Sequence, residues 1–242
     1  MNLEKYQQYS RIARGLEKAD LVLKDARIVN VFTEEIIRGD IAIQDGIIAG
    51  IGSFHGKEER DLAGRYVCPG FIDSHLHLES TLVTPAELVT AASRHGTTTF
   101  IVDPHESANV SGLAGIDYIL DQTEDVKANV YVMMPSCVPA TAIDDNGCTL
   151  TAEDMVPYLH NSRILGLGEV MDSISVVQGE KSMHDKLELF EGRIRDGHAP
   201  FLEEGDLQAY AMAGIATDHE CSFFDYAMRE RRNGLTILVR EG

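Results

Sequence analysis

Positive charge is scarce in this chain. Its 242 residues carry 21 Lys and Arg against 39 Asp and Glu, a formal net charge of −18. A protein that tracks a nucleic-acid backbone concentrates basic side chains to replace counterions, so that class is excluded. Long apolar runs are missing too. No stretch reaches the roughly 18 residues that a membrane-spanning helix requires. The opening residues, MNLEKYQQYSRIARGLEKAD, hold no apolar core segment and include Glu4, Glu17 and Asp20. That pattern is expected of neither a signal peptide nor a transit peptide. Cysteine is sparse: Cys68, Cys137, Cys148 and Cys221 form no CxxC pair. The expectation is a reducing, cytoplasmic setting. What the chain does have is 44% hydrophobic residues, enough to bury a real core, and a length near the about 250 residues of a TIM barrel.

The chain changes grammar twice. Residues 1–20 read as an amphipathic helix, with Leu3, Tyr6, Ile12, Ala13 and Leu16 at helical spacing. Residues 21–66 read as a small antiparallel β unit of β-branched strands, LVLKDARIVNV, IIRGDIAIQ and IIAGIG. The dipeptide Asp45-Gly46 marks a hairpin between the last two, and the polar stretch SFHGKEERDLAGR suits a final hairpin and exit. From residue 67 to 242 the pattern is strand–loop–helix. Strand starts fall near Phe71, Thr97, Val130, Ile164, Ile194, Gly214 and Leu235. This is the βα rhythm of a parallel barrel or a doubly wound sheet. Setting the first 66 residues apart leaves the barrel well short of the usual ~250 residues.

Polar residues separate the two architectures. Nearly every strand ends in a metal-capable side chain: His75 and His77, then Asp103, His105 and Glu106, then Glu169 and Asp172, then His198, then Asp218, His219 and Glu220. In a barrel those ends converge on one mouth; in an open sheet only the central few would meet. His75 and His77 are two apart in an extended segment, so both imidazoles face one side and can reach one ion. Glu169 ends an apolar strand among glycines, where a loop carboxylate or a helix cap is the alternative. His198 and His219, taken singly, read as readily as structural histidines. Together, four histidines and a carboxylate suit a hydrolytic metal pair that shares the carboxylate and activates water. Asp103, His105 and Glu106 suit substrate contact or support of the ligands, or else hold the loop before the next helix. Asp218 suits a supporting or structural place, Cys221 a small packed residue, and Met133 and Met134 the core.

PGFIDSHLHLES, HGTTTFIVDPHESANVSGLAGI, GLGEVMD, GHAP with DLQAYAMAGI, and TDHE together resemble the amidohydrolase superfamily, and within it the bacterial adenine deaminases, from about Leu21 to Gly242. The resemblance implies an α/β metal-dependent hydrolase of the (β/α)8 TIM-barrel type with a small N-terminal β-sandwich unit. It implies that His75, His77, Glu169, His198 and His219 are metal ligands, with Glu169 bridging two ions. It implies hydrolytic deamination of adenine to hypoxanthine and ammonia, with Mn²⁺ first and Fe²⁺ or Zn²⁺ as further candidates. Branches that bridge their metals with a carboxylated lysine place it where Glu169 stands, and the nearest following lysine is Lys181. The zinc base deaminases with an HxE…PCxxC signature are excluded because no CxxC exists here. Phe201 replaces a glycine that many relatives carry after HAP.

The family also places an aspartate at the end of an eighth strand, as metal ligand and general acid/base. Seven strands are counted, and the last runs into Arg240-Glu241-Gly242. The expectation is therefore an incomplete barrel of about seven strands, the N-terminal part of such an enzyme. Its two open strand edges would pair with a complementing C-terminal chain or in a homo-oligomer. Another cyclic amide or amidine hydrolase, or an inactive metal-binding fragment, remain as alternatives.

Overall fold

The computed structural model describes residues 1–141 and 143–240, and the chain divides into two compact units, Met1–Pro69 and Gly70–Gly242. In the first unit, helix α1 (Leu3–Ala13) begins at Asn2, whose side-chain oxygen accepts from the Lys5 amide. It buries Tyr9 and Ile12, while Leu3, Tyr6 and Leu16 are exposed. The apolar face expected from the sequence is corrected here. At about 100° per residue, a nine-residue separation puts Leu3 on the face opposite Ile12, and Leu16 lies beyond the helix end.

Strands β1 (Ala19–Asn30), β2 (Glu35–Gln44), β3 (Ile47–Gly52), β4 (Gly56–Asp61) and β5 (Tyr66–Val67) form one sheet, ordered β3-β2-β1-β4, with β5 also on β1. The β2–β3 hairpin turns at Asp45 and Gly46, both at positive φ (49° and 75°), as a tight two-residue hairpin requires. Strand β1 is long because its register shifts between Leu23 and Ala26, with Asp25 at φ 50°. Such a bulge bends a strand, so the first half of β1 pairs with β4 and the second half with β5.

The sheet is mixed, not antiparallel throughout: β4 and β5 run parallel to β1. The stretch expected as a final hairpin is instead an edge strand. GKEERD has no apolar alternation to mark it; only its backbone bonding to β1 makes it a strand. Its charged side chains are exposed, which blunts an edge that would otherwise invite further pairing.

The second unit alternates strands and helices: β6 (Phe71–Leu76), α2 (Pro85–Ser93), β7 (Thr97–Val102), α3 (His105–Ser111), α4 (Leu113–Gln122), β8 (Asn129–Met134), α5 (Ala152–Met155), β9 (Ile164–Val170), α6 (Ser173–Gln178), α7 (Lys181–Leu189), β10 (Ile194–Gly197), α8 (Glu204–Met212), β11 (Thr217–Asp218), α9 (Phe224–Arg232) and β12 (Thr236–Ile237). Every pairing is parallel and follows chain order, β6 through β10 in one sheet and β11 with β12 in another. The Ala216 amide bonds the Arg195 carbonyl and carries the order across the gap. A doubly wound sheet would reverse direction at a switch point; this order never reverses, which is the wall of an incomplete barrel. Among the described residues, β6 and β12 each pair on one side only, and Phe71 and Ile72 of β6 are correspondingly exposed.

Strands β8 and β9 are almost wholly buried, as expected for parallel strands covered on both faces. Val132, Met134 and Leu167 pack in one core with Ile116, Ile119 and Tyr210 from the helices and Phe190 just after α7. Arg163 fastens the start of β9: its guanidinium donates to the carbonyls of Val130 and Leu120 and to the Thr123 hydroxyl. Among the described residues no helix is long and apolar enough to cross a membrane.

Candidate metal centre

Strand alternation puts His75 and His77 on one side of the β6 end, with their Nε2 atoms 3.2 Å apart. Both rings have their other nitrogen fixed. His75 donates from Nδ1 to Asp196 Oδ2 at 2.9 Å, and His77 from Nδ1 to the Asp103 carbonyl at 2.7 Å. A carboxylate and a carbonyl can only accept, so each ring carries its proton on Nδ1 and turns Nε2 inward.

Inward lies Glu169, at the end of β9 and 2% exposed. Its Oε1 is 2.8 Å from His75 Nε2, 3.0 Å from His77 Nε2 and 3.5 Å from His219 Nε2; its Oε2 is 3.3 Å from His198 Nδ1. The structure thus brings the four histidines and the carboxylate predicted from the sequence into one cluster. The ring of His219 stacks on His75, with centroids 3.9 Å apart.

These residues fit a divalent cation on chemical grounds. Imidazole nitrogens (Nε2 of His75, His77 and His219, Nδ1 of His198) and carboxylate oxygens converge, and acceptors repel at 3 Å unless a positive charge sits among them. The buried Nδ1 atoms of His198 and His219 have no hydrogen-bond partner. The 3.0–3.5 Å spacings are those of neighbouring donors around an ion with bonds of about 2.1 Å. Without an ion the positive charge has to be protons. Burial opposes charge on His75, but hydrogen bonds to Asp196 and Glu169 override it and push the imidazole up to about 10. His77 is pushed up to about 9 in the same way, with Glu169 the main partner. Glu169, despite its burial, is held well below the usual carboxylate range by His198, His75 and His77. His219 goes the other way, lowered by burial and by its neighbour His75.

The backbone around Glu169 is tightly held. Asp103 Oδ2 accepts the Glu169 amide at 2.7 Å, and the Ser136 hydroxyl donates to the Glu169 carbonyl at 2.5 Å. Lys186, buried on α7, donates to the Ser136 carbonyl at 2.7 Å. On the β10 side, the His198 amide donates to the Tyr210 hydroxyl, which itself donates to the Val170 carbonyl.

Gly168 is what lets Asp103 reach in, because a Cβ at 168 would overlap the Asp103 carboxylate. Gly168→Ala is therefore expected to push Asp103 off the Glu169 amide and to destabilise the unit by about 3 kcal/mol. A drop in the urea midpoint at constant slope would show it; an unchanged midpoint would contradict the packing.

The remaining candidates divide. Asp103 is buried, with Oδ2 used and Oδ1 facing His105 Nδ1 at 3.6 Å; both of those atoms lack a hydrogen-bond partner. Glu106 stays 3.9 Å from the nearest His77 and His105 nitrogens and accepts from the Ser80 hydroxyl instead. Asp218 takes the amides of Ala199 and Glu220, which fixes the segments beside both His198 and His219. Asp172 is not at the centre; it caps α6, accepting from the Ser175 amide and hydroxyl. Glu220 pairs with Arg240 at 3.0 Å.

Sequence reasoning missed Asp196, Tyr210 and Lys186. Only Asp196 left a signal, an aspartate two residues before His198 on a short strand and so facing the same side.

Behind Asp218, Glu230 of α9 is fully buried and neither oxygen has a hydrogen-bond partner. Burial first, then the Asp218 charge, pushes its carboxyl up to about 7. Between the ordinary value of 4.5 and about 7 the unfolded chain releases this proton and the folded chain keeps it, so stability falls as pH rises through that window. Glu230→Gln is expected to raise stability at pH 8, on the order of 2 kcal/mol after allowance for solvent screening, and to leave it unchanged at pH 4. Urea titrations of both proteins at the two pH values test this; equal midpoints at pH 8 would refute it.

Comparison with known proteins gives the family. The chain is 57% identical over 242 residues, 100% of its length, to an adenine deaminase of Desulfitobacterium hafniense, and covers 42% of that protein. It is 49% identical over 232 residues to an adenine deaminase of Clostridium acetobutylicum, covering 95% of this chain and 41% of the relative. The chain thus spans about two fifths of the length of these curated relatives. Among solved structures, a β-aspartyl dipeptidase of Fervidobacterium islandicum shares the fold at TM-score 0.61 and 14% identity, over 92% of this chain and 65% of the other. A sequence model of the amidohydrolase family matches residues 66–238. That match runs over the same strands that deliver His75, His77, Glu169, His198 and His219, and by it the chain belongs to the amidohydrolase family.

Proposed function

We propose that this chain carries the metal-binding part of a hydrolytic adenine deaminase, converting adenine to hypoxanthine and ammonia. The observation that supports it most is four imidazoles closing on one buried carboxylate in a chain 57% identical to a protein of that name. On this reading His75, His77, His198 and His219 would hold two divalent ions and Glu169 would be the carboxylate they share. The donor set has imidazole and carboxylate but no thiolate, which admits several divalent transition-metal ions; the resemblance to adenine deaminases puts Mn²⁺ first, with Fe²⁺ or Zn²⁺ as alternatives. Bound divalent ions would supply Lewis-acid polarisation and a water of lowered pKa.

The chain's own residues do the rest. Asp103 and Ser136 grip the backbone of Glu169 on both sides of its Cα, through its amide and its carbonyl. Asp218 holds the segments bearing His198 and His219. His105, whose buried Nδ1 faces Asp103, and Glu106, half-exposed beside it, are the candidates on this reading for contact with the ring edge of a purine. On this reading the acid/base aspartate lies on a further strand against the open edges of β6 and β12, supplied by more polypeptide or by a complementing chain. A second sheet, completing a β-sandwich, would cover the exposed Ile48 and Ile51, which share the face of Ile41 and Ile43.

The test is to fuse this chain to the remaining part of the Desulfitobacterium hafniense relative, load it with Mn²⁺ and supply adenine. Equimolar hypoxanthine and ammonia, lost in Glu169→Gln, supports the proposal. A fusion that binds Mn²⁺ but leaves adenine intact while hydrolysing another cyclic amide overturns the substrate. One that binds metal and hydrolyses nothing overturns the enzyme.

A further inference from the structure

We propose that Asp196 is a positioning residue of the metal centre, holding His75 in the one tautomer that can ligate through Nε2. This rests on the reading of His75 as a ligand. Asp196 is 4% exposed, on β10, four strands along from β6, which carries His75. Its Oδ2 accepts the His75 Nδ1 proton at 2.9 Å. Its Oδ1 accepts from the Thr217 hydroxyl and from the Gly197 amide. Both oxygens are therefore engaged, and the one on His75 lies on the side of the ring away from Glu169. Asp196 is built to orient the ligand rather than to join it. A buried carboxylate on the far nitrogen fixes the ring and raises the basicity of the ligating one. Thr217 and Gly197 in turn stop the carboxylate from rotating.

Asparagine is the informative replacement. Its amide keeps the shape, but its NH2 can donate to Nδ1, and the ring then moves its proton to Nε2, where it blocks ligation. Asp196→Asn is expected to weaken Mn²⁺ binding by about 10–100-fold in a chelator competition. In the Zn²⁺-loaded protein, nitrogen-resolved NMR should show the His75 Nδ1 proton in the parent and not in the variant. An unchanged urea midpoint with a lost Nδ1 proton signal is the signature of positioning.

The outcomes separate the two claims. If Glu169→Gln leaves Mn²⁺ binding untouched, the metal centre itself is wrong. If Glu169→Gln loses binding while Asp196→Asn binds like the parent with its Nδ1 proton in place, the role of Asp196 is wrong. Should Asp196→Asn fail to fold, Thr217→Val keeps the carboxylate and frees it to rotate. About a threefold to tenfold weakening is then expected, below the full loss of the partner, and parent-like binding overturns the proposal.

Discussion

Glu169→Gln is expected to abolish Mn²⁺ retention through gel filtration and to weaken binding at least about hundredfold, more than the loss of any supporting partner. Glu169 is the one side chain that all four histidines approach, at 2.8, 3.0, 3.3 and 3.5 Å, so no single histidine substitution removes as much. The amide is isosteric but brings no charge, and its NH2 points donors at nitrogens that have lone pairs to give. The apoprotein should suffer as well. His77, raised chiefly by this carboxylate, loses its counter-charge inside the unit, and His75 is left with Asp196 alone. Breaking a buried pair from one side costs about 3–5 kcal/mol, so the urea midpoint at pH 7 should fall with it. Metal content by mass spectrometry and a midpoint equal to that of the parent would together remove Glu169 from the centre.

Metal uptake should be steeply pH-dependent. With His75 at about 10 and His77 at about 9, an ion entering at pH 7 has to displace two protons. Apparent affinity is then expected to rise about hundredfold per pH unit between pH 7 and 8.5, with about two protons released per ion in weakly buffered solution. The stability of the apoprotein runs in the opposite sense. Histidines raised in the fold contribute stability in full below pH 6.5, and it is lost as pH rises through 9 and 10. Chelator competition between pH 6.5 and 8.5 measures the first effect, and a flat profile would mean that the imidazoles are neutral and the carboxylate unshared.

The barrel wall and the five converging residues were legible because two regular signals coincided. Strand periodicity put His75 and His77 on one side, and each metal-capable residue fell at the carboxyl end of an apolar run. The hairpin at Asp45-Gly46 was legible because its positive φ values demand such residues. Strand β4 was not, since GKEERD presents charge on every exposed position and is a strand only by its bonding to β1. Asp172 looked like a site residue because a helix cap uses the same carboxylate that a metal would. Asp196 failed for the converse reason. Nothing local in the short strand IRDG marks it as a partner, because His75 lies 121 positions away. Helix α1 shows the limit of spacing by threes, which drifts off a face within ten residues.

The His75–Asp196 bond joins the first strand of the five-stranded sheet to its last, past three strands that lie between them. Asp103 does the same on a smaller scale, reaching from the end of β7 past β8 to the backbone of β9. Both are chords drawn across an arc. A closed barrel has its radius fixed by its own circumference, but an arc with two free ends could flatten. Here the radius is set by the lengths of polar contacts at the mouth, so the curvature of the wall and the spacing of the ligands are one quantity. Anything that lengthens a chord spreads the ligands, and anything that draws the ligands together bends the sheet.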